Sequence, residues 1–512
     1  MIASDGFTAD FLSVTAIFFA LAFGALILAV LVMYIIDVRQ TRNTIRRNYP
    51  VIGRFRYFFE KLGEFFRQYF FAMDREEMPF NRAERSWVYR AAKGEANTVA
   101  FGSTRDLYRT GTVMFANTPF PVLDENTTHP RAIEIGAACR TPYITSALIN
   151  ISAMSYGSLS SPAIRALSAG ANKAGSWLNT GEGGLSPFHL EGGCDIVFQI
   201  GTAKYGVRDK DGKLDPDKLR AIAEKTEVRM FEIKLSQGAK PGKGGILPAA
   251  KVNKEIAEIR GIPEGEASIS PNRHPEISSI SELLDMIAYV RDITGKPTGF
   301  KTVLSDAGWI ADLCREIHRR GADSAPDFIT VDGGDGGTGA APMPLMDNVG
   351  LPLREALPML IDELCRNSLR ERIRVIASGK LITPAEAAWA LCAGANFVNT
   401  ARGAMFALGC IQAMQCNKNT CPTGVTTHDP DLQKGLVVSD KSERVARYLQ
   451  NLTHDICVIA HSAGLREPRE FTRQHARIVG ADGISRPMHE LYPVPTPHSA
   501  PESAGPGANA SP

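Results

Sequence analysis

Hydrophobic residues follow three different patterns along the chain. From Phe11 to Ile36 they form one uninterrupted run without a charged side chain. From 55 to 70 they recur at intervals of three and four residues, and between 140 and 420 they form short runs separated by longer segments of mixed composition. The first pattern predicts a membrane-spanning helix, the second an amphipathic helix and the third an alternation of strands and helices.

The run 11–36 is long enough for a helix that crosses a hydrocarbon core of about 30 Å. A cleaved signal peptide is the alternative, but Asp5 and Asp10 stand where its basic residues belong. Six arginines follow the run, namely Arg39, Arg42, Arg46, Arg47, Arg54 and Arg56. The positive-inside rule therefore predicts a single-pass membrane protein with residues 1–10 outside the cell and the catalytic domain in the cytoplasm.

Residues 37–90 form a basic and aromatic segment next to the membrane. Its apolar positions share one face of a helix, and they are Phe55, Phe58, Phe59, Leu62, Phe65, Phe66, Tyr69 and Phe70. Such a helix either lies on the membrane surface or packs against the globular domain, and the sequence leaves both open. At the other end, residues 491–512 are rich in Pro, Ser, Ala and Gly, which predicts a disordered tail.

The short apolar runs of the central region number eight, as in a (β/α)8 barrel. They are Leu148–Ala153, Trp177–Thr180, Asp195–Ile200, Met230–Leu235, Gly299–Leu304, Phe328–Val331, Val375–Ala377 and Phe397–Asn399. Segments of helical pattern separate them, as parallel βαβ units require. The sequence therefore predicts an α/β protein, with a TIM barrel over 91–490 preceded by one N-terminal transmembrane helix.

Overall charge gives no reason to expect nucleic acid as a partner. The 57 Lys and Arg residues nearly balance the 55 Asp and Glu residues, for a net charge of +2. The nine cysteines are scattered except for three, which suits a reducing compartment with one metal or redox site.

Glycine is concentrated at the ends of the predicted strands, in NTGEGG, IKLSQGAKPGKGG, VDGGDGGTGA and ASGK. Glycine-rich backbone can approach a flat ring or surround a phosphate, although any single cluster could be a simple turn. No GxGxxG motif opens a helix of a first βα unit and no GxxxxGK[ST] is present, so neither a Rossmann site nor a P-loop is supported. A barrel-bound ligand such as FMN, with its phosphate near Gly379 and Gly403, is favoured instead.

Cys410, Cys416 and Cys421 are spaced C-x5-C-x4-C, and Pro422 follows the last of them. Buried thiols are one interpretation, and a zinc site with His428 as the fourth ligand is another. A three-iron cluster is favoured, because thiolate is the usual ligand of iron-sulfur clusters.

Several of these segments carry a resemblance to a known family. ISAMSYGSLS, NTGEGG, IKLSQGAKPGKGG followed by LPAAKV, ISPNRH, VDGGDGGTGA and the cysteine segment occur in order between Ile149 and Thr427. Together they resemble the FMN-binding synthase domain of glutamate synthase. The resemblance implies a (β/α)8 barrel that binds FMN and a 3Fe-4S cluster. It also implies conversion of 2-oxoglutarate and ammonia, through 2-iminoglutarate, into L-glutamate.

The resemblance also assigns roles to individual positions. It implies catalytic roles for Glu182, Gln237 and Lys240, and it makes Gln237, Lys240 and Arg260 substrate ligands. It assigns Cys410, Cys416 and Cys421, in the segment 410–421, to the cluster. The expected flavin contacts are Met154, Ser155, Gln199, Lys301, Gly337, Gly339, Gly379 and Gly403.

The chain departs from the large synthases in ways that affect its expected partners. Residue 2 is Ile, where a glutaminase domain would have its nucleophilic Cys, so ammonia is expected from solution or from a separate amidotransferase subunit. No NAD(P)H domain is recognisable, so electrons are expected from ferredoxin or another donor subunit.

Three alternatives to this function remain at the level of sequence. The amine could be methylamine, with N-methylglutamate as the product. An FMN-dependent 2-hydroxy-acid oxidase or dehydrogenase would need a histidine base and has no reason to keep three cysteines. A membrane-anchored redox relay without a substrate would have no use for Gln237, Lys240 and Arg260.

Overall fold

The structure is a computed structural model that describes the backbone of residues 3–496. Side chains are described over the same range except for 3–9, 64 and 65, so most of the predicted tail 491–512 lies outside the described residues. The chain divides into two compact units, residues 1–83 and 84–512.

Seventeen helices and fifteen strands make up the described chain. The helices are α1 (Ala3–Arg39), α2 (Thr44–Asn48), α3 (Gly53–Phe66), α4 (Arg82–Lys93), α5 (Ser161–Ala174), α6 (Pro187–Leu190), α7 (Pro216–Ala223), α8 (Lys254–Arg260), α9 (Ile280–Thr294), α10 (Ala307–Arg320), α11 (Met343–Met346), α12 (Leu353–Arg366), α13 (Pro384–Ala393), α14 (Arg402–Leu408), α15 (Pro430–Gln433), α16 (Val438–Ser462) and α17 (Met488–Leu491). The strands are β1 (Val113–Phe115), β2 (Ile133–Ile135), β3 (Tyr143–Thr145), β4 (Ile149–Ile151), β5 (Leu178–Asn179), β6 (Ile196–Ile200), β7 (Val228–Lys234), β8 (Ile246–Leu247), β9 (Ser268–Ile269), β10 (Thr298–Thr302), β11 (Phe328–Asp332), β12 (Arg374–Ser378), β13 (Phe397–Thr400), β14 (Ala476–Val479) and β15 (Ser485–Pro487).

The N-terminal unit contains one long apolar helix. Helix α1 includes the whole predicted run 11–36, and its segment Asp10–Arg39 is long and apolar enough to cross a membrane. Its large apolar side chains, such as Phe18 and Leu21, are exposed in the described chain. The amphipathic pattern of 55–70 forms α3 and a π-helical turn, Arg67–Phe71.

Eight parallel strands close into a barrel in the second unit, in the order β4, β5, β6, β7, β10, β11, β12 and β13. Each of the eight predicted apolar runs overlaps one of these strands, so the TIM-barrel prediction is confirmed. The runs are readable in the sequence because strands of a parallel barrel are buried on both faces.

A cluster of large side chains fills one end of this barrel. Trp177, Val197, Met230, Phe328 and Phe397 lie at or close to the first residues of their strands and are all buried. The rings of Trp177 and Phe397 meet edge to face with centroids 5.1 Å apart. Because the amino end is packed shut, the carboxyl ends of the strands are left for chemistry.

An insertion between β7 and β10 lies at that carboxyl end. Strands β8 and β9 form an antiparallel pair, with Ile246 opposite Ile269, and α8 connects them. Asn253 caps the N-terminus of α8 by accepting from the Ile256 N–H, and Gly261 ends the helix in a left-handed conformation. Arg260, the last residue of α8, is thereby placed next to the mouth of the barrel.

Candidate functional site

A cavity opens at the carboxyl ends of the barrel strands. Its volume, including the open mouth, is about 970 Å³, which is the size of a cofactor or ligand site. Ten of the predicted site residues line it, namely Met154, Ser155, Glu182, Gln199, Gln237, Lys240, Arg260, Gly337, Gly339 and Cys416. Lys301, Gly379, Gly403, Cys410 and Cys421 are not among its lining residues.

Glu182 forms an ion pair with a lysine that the sequence did not single out. Lys234, the last residue of β7, places Nζ 2.5 Å from Glu182 Oε1 and also donates to Gln237 Oε1. Burial alone would raise the pKa of Glu182, but the charges of Lys234 and Lys240 outweigh it and lower the pKa. Glu182 is therefore an ionised carboxylate inside the cavity.

Close approach of the backbone holds Glu182 in place. A Cβ atom on Gly201 would lie 2.5 Å from Glu182 Cβ, and one on Gly245 would lie 2.7 Å from Glu182 Oε1. Only glycine leaves room for the carboxylate at these two positions.

Lys240 and Arg260 are buried cations, and neither forms an ion pair with a carboxylate of the described chain. Among the described residues, Lys240 Nζ donates to one acceptor, the Gly244 carbonyl, at 3.4 Å. Burial together with the charge of Lys234 lowers the pKa of Lys240 to about 8. Arg260 donates to Ser268 Oγ at 3.1 Å and to the Tyr156 carbonyl at 3.3 Å, while its buried Nε has no hydrogen-bond partner in the described chain. Two buried cations that form no direct ion pair make this cavity suitable for an anion.

Gln199 belongs to a network around a buried carboxylate below the cavity. Glu232 accepts hydrogen bonds from Gln199 Nε2 at 2.7 Å, from Asn179 Nδ2 at 2.8 Å and from Thr330 Oγ1 at 2.6 Å. These donors come from β5, β6 and β11, and Glu232 belongs to β7, so the network connects side chains of four barrel strands. Gln199 is held in one orientation where it reaches the cavity.

Lys301 of β10 is buried and is not among the lining residues of the cavity. Its Nζ is 3.1 Å from Asp332 Oδ2, which also accepts from the Gly238 N–H at 3.0 Å. Burial opposes the charge of Lys301, but Asp332 and Glu232 raise its pKa, so the side chain stays protonated.

Gly379 and Gly403 have structural reasons to be glycine. Gly379 has a φ of 132°, a conformation that residues with a side chain rarely adopt. A Cβ atom on Gly403 would lie 1.9 Å from the Tyr448 hydroxyl oxygen of α16. The two glycines therefore serve backbone geometry and helix packing, whether or not a ligand also approaches them.

The late strands supply an arginine next to glycine-rich backbone. Arg402 begins α14 directly after β13, lines the cavity and donates through Nη2 to the Thr338 carbonyl at 2.6 Å. A Cβ atom on Gly337 would lie 3.2 Å from Arg402 Nε. Barrels commonly hold a phosphate at this place, after their last two strands, so these residues fit the phosphate of a flavin.

The three cysteines follow α14 in an irregular segment. Cys416 lines the cavity near Gly339, Cys410 Sγ accepts from the Gln412 N–H at 3.5 Å, and Cys421 Sγ lies 3.4 Å from Thr423 Oγ1. Burial would raise the pKa of Cys421, but hydrogen bonds from threonine hydroxyls and backbone lower it. Three thiols supply the ligand type of an iron-sulfur cluster, and donors to Cys410 and Cys421 suit a thiolate. Across residues 3–496, however, no three His, Cys, Asp or Glu side chains are arranged to hold a metal ion.

The histidines of the barrel do not occupy the cavity. His428, the candidate zinc ligand, lies with Nε2 2.8 Å from the Gly157 carbonyl, so this nitrogen carries the proton and donates. None of the cavity-lining residues in the described chain is a histidine. The base that a 2-hydroxy-acid oxidase needs is therefore not among them.

Three cationic residues of the cavity were missed at the level of sequence, namely Lys234, Lys251 and Arg402. Lys234 ends a strand and Arg402 follows one, so the rule that barrel chemistry lies at carboxyl ends of strands could have found both. Lys251 Nζ donates to the Ser158 carbonyl at 3.0 Å, and burial lowers its pKa to about 8.

Comparison with known proteins identifies the family. Residues 114–466 match the conserved region in glutamate synthase. The chain belongs to the glutamate synthase family, a family of oxidoreductases. This confirms the resemblance seen in the motifs. The glutamate synthase large subunit-like protein YerD of Bacillus subtilis is 40% identical over 490 residues, which cover 88% of this chain and 93% of that protein.

Other relatives match over a smaller part of their length. The archaeal-type glutamate synthase (NADPH) of Thermotoga neapolitana is 34% identical over 336 residues, and the match covers 65% of this chain and 62% of the relative. Among solved structures, mandelate oxidase with (S)-4-hydroxymandelic acid has a TM-score of 0.47 at 14% identity, covering 78% of this chain and 99% of that one. At this TM-score the likeness supports no functional inference.

Proposed function

We propose that this chain is a membrane-anchored glutamate synthase that aminates 2-oxoglutarate reductively, through 2-iminoglutarate, to L-glutamate. The observation that carries the proposal is the pair of buried cations, Lys240 and Arg260, that have no carboxylate partner in the described chain and share a cavity with the Lys234–Glu182 ion pair.

The two cations match a substrate with two carboxylates. Burying a charge without a counter-ion is costly, and a bound dianion would relieve that cost at Lys240 and at Arg260 together. The arginine can form two parallel hydrogen bonds to one carboxylate, while the lysine acts on the other as a point charge. Gln237 accepts from Lys234 through Oε1, which leaves its amide N–H groups to donate to substrate.

The remaining polar groups suit the addition of ammonia to a 2-oxo acid. Ammonia attacks the C2 carbonyl, water leaves to form the imine, and hydride at C2 with one proton gives the amino acid. Ionised Glu182 can bind an ammonium ion as its counter-ion and so hold the amine source in the cavity, while free ammonia in equilibrium with it is the nucleophile. Lys240, with a pKa of about 8, can donate a proton to the departing oxygen near neutral pH.

The chain's residues also suit the two cofactors implied by its family. Met154, Ser155, Gln199, Gly337 and Gly339 would face FMN, with Arg402 at its phosphate, and Cys410, Cys416 and Cys421 would ligate a 3Fe-4S cluster. When bound, the flavin would supply the hydride, and the cluster would supply electrons to the flavin. Ferredoxin or another donor subunit would deliver those electrons, and ammonia would come from solution or from a separate amidotransferase subunit.

Helix α1 would anchor the enzyme in the membrane. The apolar length of Asp10–Arg39 supports a single crossing, and the arginines that follow it support an outside N-terminus with a cytoplasmic catalytic domain.

Selectivity for a second carboxylate tests the proposed substrate class. Calorimetric titration of the purified holoenzyme with 2-oxoglutarate and with 2-oxopentanoate compares two 2-oxo acids of equal chain length. We expect much weaker binding of 2-oxopentanoate, since it leaves one buried cation unpaired. Equal affinity for the two acids would contradict the assignment.

A further inference from the structure

The end of α1 is tied to the start of α3 by one buried carboxylate. Asp37 is fully buried, and its Oδ1 accepts from Arg46 Nε at 2.9 Å, from Arg46 Nη2 at 2.6 Å and from Arg54 Nη2 at 2.9 Å. Its Oδ2 accepts from Arg54 Nε at 2.8 Å and from the Val51 N–H at 3.0 Å. Residues 37–54 thus close into a compact turn, which we call the Asp37 elbow.

Backbone packing reinforces this elbow. Gly53, the first residue of α3, lies so close to α2 that a Cβ atom there would be 2.8 Å from the Ile45 carbonyl oxygen. The direction in which α3 leaves α1 is therefore set by charged hydrogen bonds and by a close helix contact, rather than by a loose linker.

Beyond the elbow, large aromatic side chains are exposed along one face of α3. Phe55, Phe58 and Phe59 are 57% to 60% exposed, and their spacing places them on one stripe of the helix. Arg56 and Glu60 fall on the other faces. The following π-helical turn exposes three more aromatic side chains, those of Tyr69, Phe70 and Phe71.

We propose that the Asp37 elbow lays α3 along the membrane surface, with its aromatic stripe in the interface and its arginines against anionic lipid headgroups. This inference rests on the proposed crossing by α1. The apolar run of α1 ends at Ile36, so the elbow begins where the chain leaves the hydrocarbon core. A basic amphipathic helix with aromatic residues on its apolar face is the kind that binds in the plane of the interface.

Charge on the elbow favours anionic lipid as the occupant. Asp37 forms ion pairs with Arg46 and Arg54, whereas Arg39, Arg42, Arg47 and Arg56 form no ion pair with a described carboxylate. Four free cations next to a membrane-length helix match phosphatidylglycerol or similar headgroups.

Depth-dependent fluorescence quenching tests the position of α3. Full-length holoenzyme carrying Phe58→Trp is reconstituted in vesicles of phosphatidylcholine and phosphatidylglycerol with brominated acyl chains, and wild-type emission from the four native tryptophans is subtracted. We expect the brominated lipid to quench the fluorescence of the Trp introduced at position 58. In the matched variant Glu60→Trp, the introduced Trp should remain largely unquenched. Equal quenching in both variants, or protection of position 58 from both bromolipid and aqueous iodide, would overturn the proposal; the second result would indicate a protein contact.

Two further variants and one lipid change test the elbow and the headgroups. Asp37→Asn should lose the quenching at position 58, whereas Asp74→Asn, which removes an exposed carboxylate of the same unit, should keep it. Pure phosphatidylcholine should also weaken the quenching, and its persistence there would overturn the role of anionic lipid. Flotation of the wild type separates the two hypotheses: a chain that does not float refutes the anchor, while a floating chain without quenching refutes only the surface helix.

Discussion

Four buried cations line the cavity, and Glu182 is the one carboxylate among its lining residues in the described chain; the cations are Lys234, Lys240, Lys251 and Arg260. Lys234 is paired with Glu182, whereas Lys240 and Arg260 are the two cations that we propose bind the carboxylates of 2-oxoglutarate. Removing Arg260 would leave one carboxylate of 2-oxoglutarate in a buried site without its partner.

We therefore expect Arg260→Ala to raise the KM for 2-oxoglutarate by about thirtyfold or more, since losing one member of a buried charged pair costs about 2 kcal/mol or more. Steady-state kinetics of the variant measures this KM, and the FMN content measured in parallel shows whether the flavin is still bound. Arg208→Ala is a matched control, because Arg208 also lies over the Tyr205 ring, at 5.0 Å, but does not line the cavity. An unchanged KM in Arg260→Ala would remove this residue from the substrate site.

The lowered pKa of Lys240 predicts a pH dependence for the proposed reaction. Lysine attracts a carboxylate only when protonated, so kcat/KM for 2-oxoglutarate should fall as the pH rises through about 8. Lys240→Arg should lower the rate, because arginine cannot supply the proton proposed for Lys240, but the decline with pH should disappear, because arginine stays charged. The exposed neighbour Lys243→Arg should leave the profile unchanged. Lys251 lines the same cavity with a similar pKa. A decline that survives in Lys240→Arg would assign the titration to another group.

At the scale of elements, the cysteine segment connects the barrel to α16. Three residues within it adopt left-handed backbone conformations, with φ of 58° at Gln412, 53° at Met414 and 60° at Asn419. Such conformations are uncommon for residues with a side chain and persist where the surroundings impose them. A bound cluster would be one such constraint.

We expect Cys416→Ser to lose its iron and the paramagnetic signal of the oxidised cluster, while the FMN contacts in the barrel largely keep the flavin. Metal analysis, electron paramagnetic resonance and the visible spectrum check the three parts separately. Cys457→Ser on α16 is the control and should keep both cofactors. Zinc in place of iron in anaerobically prepared wild type would contradict the redox role.

The barrel was predictable because each strand is buried on both faces and stands out as a short apolar run. Glu182, Gln237, Lys240 and Arg260 could be located from their motifs, and all four line one cavity. The ion pair between Glu182 and Lys234 could not be predicted from the sequence, because it joins two strand ends that are distant along the chain. A sequence also does not show why a position must be glycine. A ligand can require it, or a neighbouring side chain can, as the Tyr448 hydroxyl does at Gly403.

At the scale of the whole molecule, the chain combines a barrel with one apolar helix that is long enough to cross a membrane. We expect carbonate washing to leave the protein in the membrane fraction, because α1 presents an apolar length sufficient for one crossing. Protease added to intact cells should leave the barrel undigested. The same protease should digest the barrel once the cells are permeabilised. Release by carbonate would refute the crossing, and digestion in intact cells would reverse the orientation.

The family assignment concerns the barrel, whose residues 114–466 match the conserved region in glutamate synthase. Ammonia and electrons are proposed to reach it from outside the chain. If methylamine replaced ammonium, the amino group of the product would change, but the 2-oxo acid would still need two carboxylates to bind. The 2-oxo acid and the amine can therefore be tested independently.

Conversion of 2-oxoglutarate by the purified, detergent-solubilised holoenzyme tests the central claim most directly. The enzyme is supplied with reduced methyl viologen and ¹⁵N-labelled ammonium, and the products are analysed by mass spectrometry and chiral chromatography. We expect ¹⁵N-labelled L-glutamate that depends on enzyme, reductant and 2-oxoglutarate, and much less of it from Arg260→Ala. Absence of any amino acid product, with either ammonium or methylamine, from enzyme with full FMN and iron content would contradict the account.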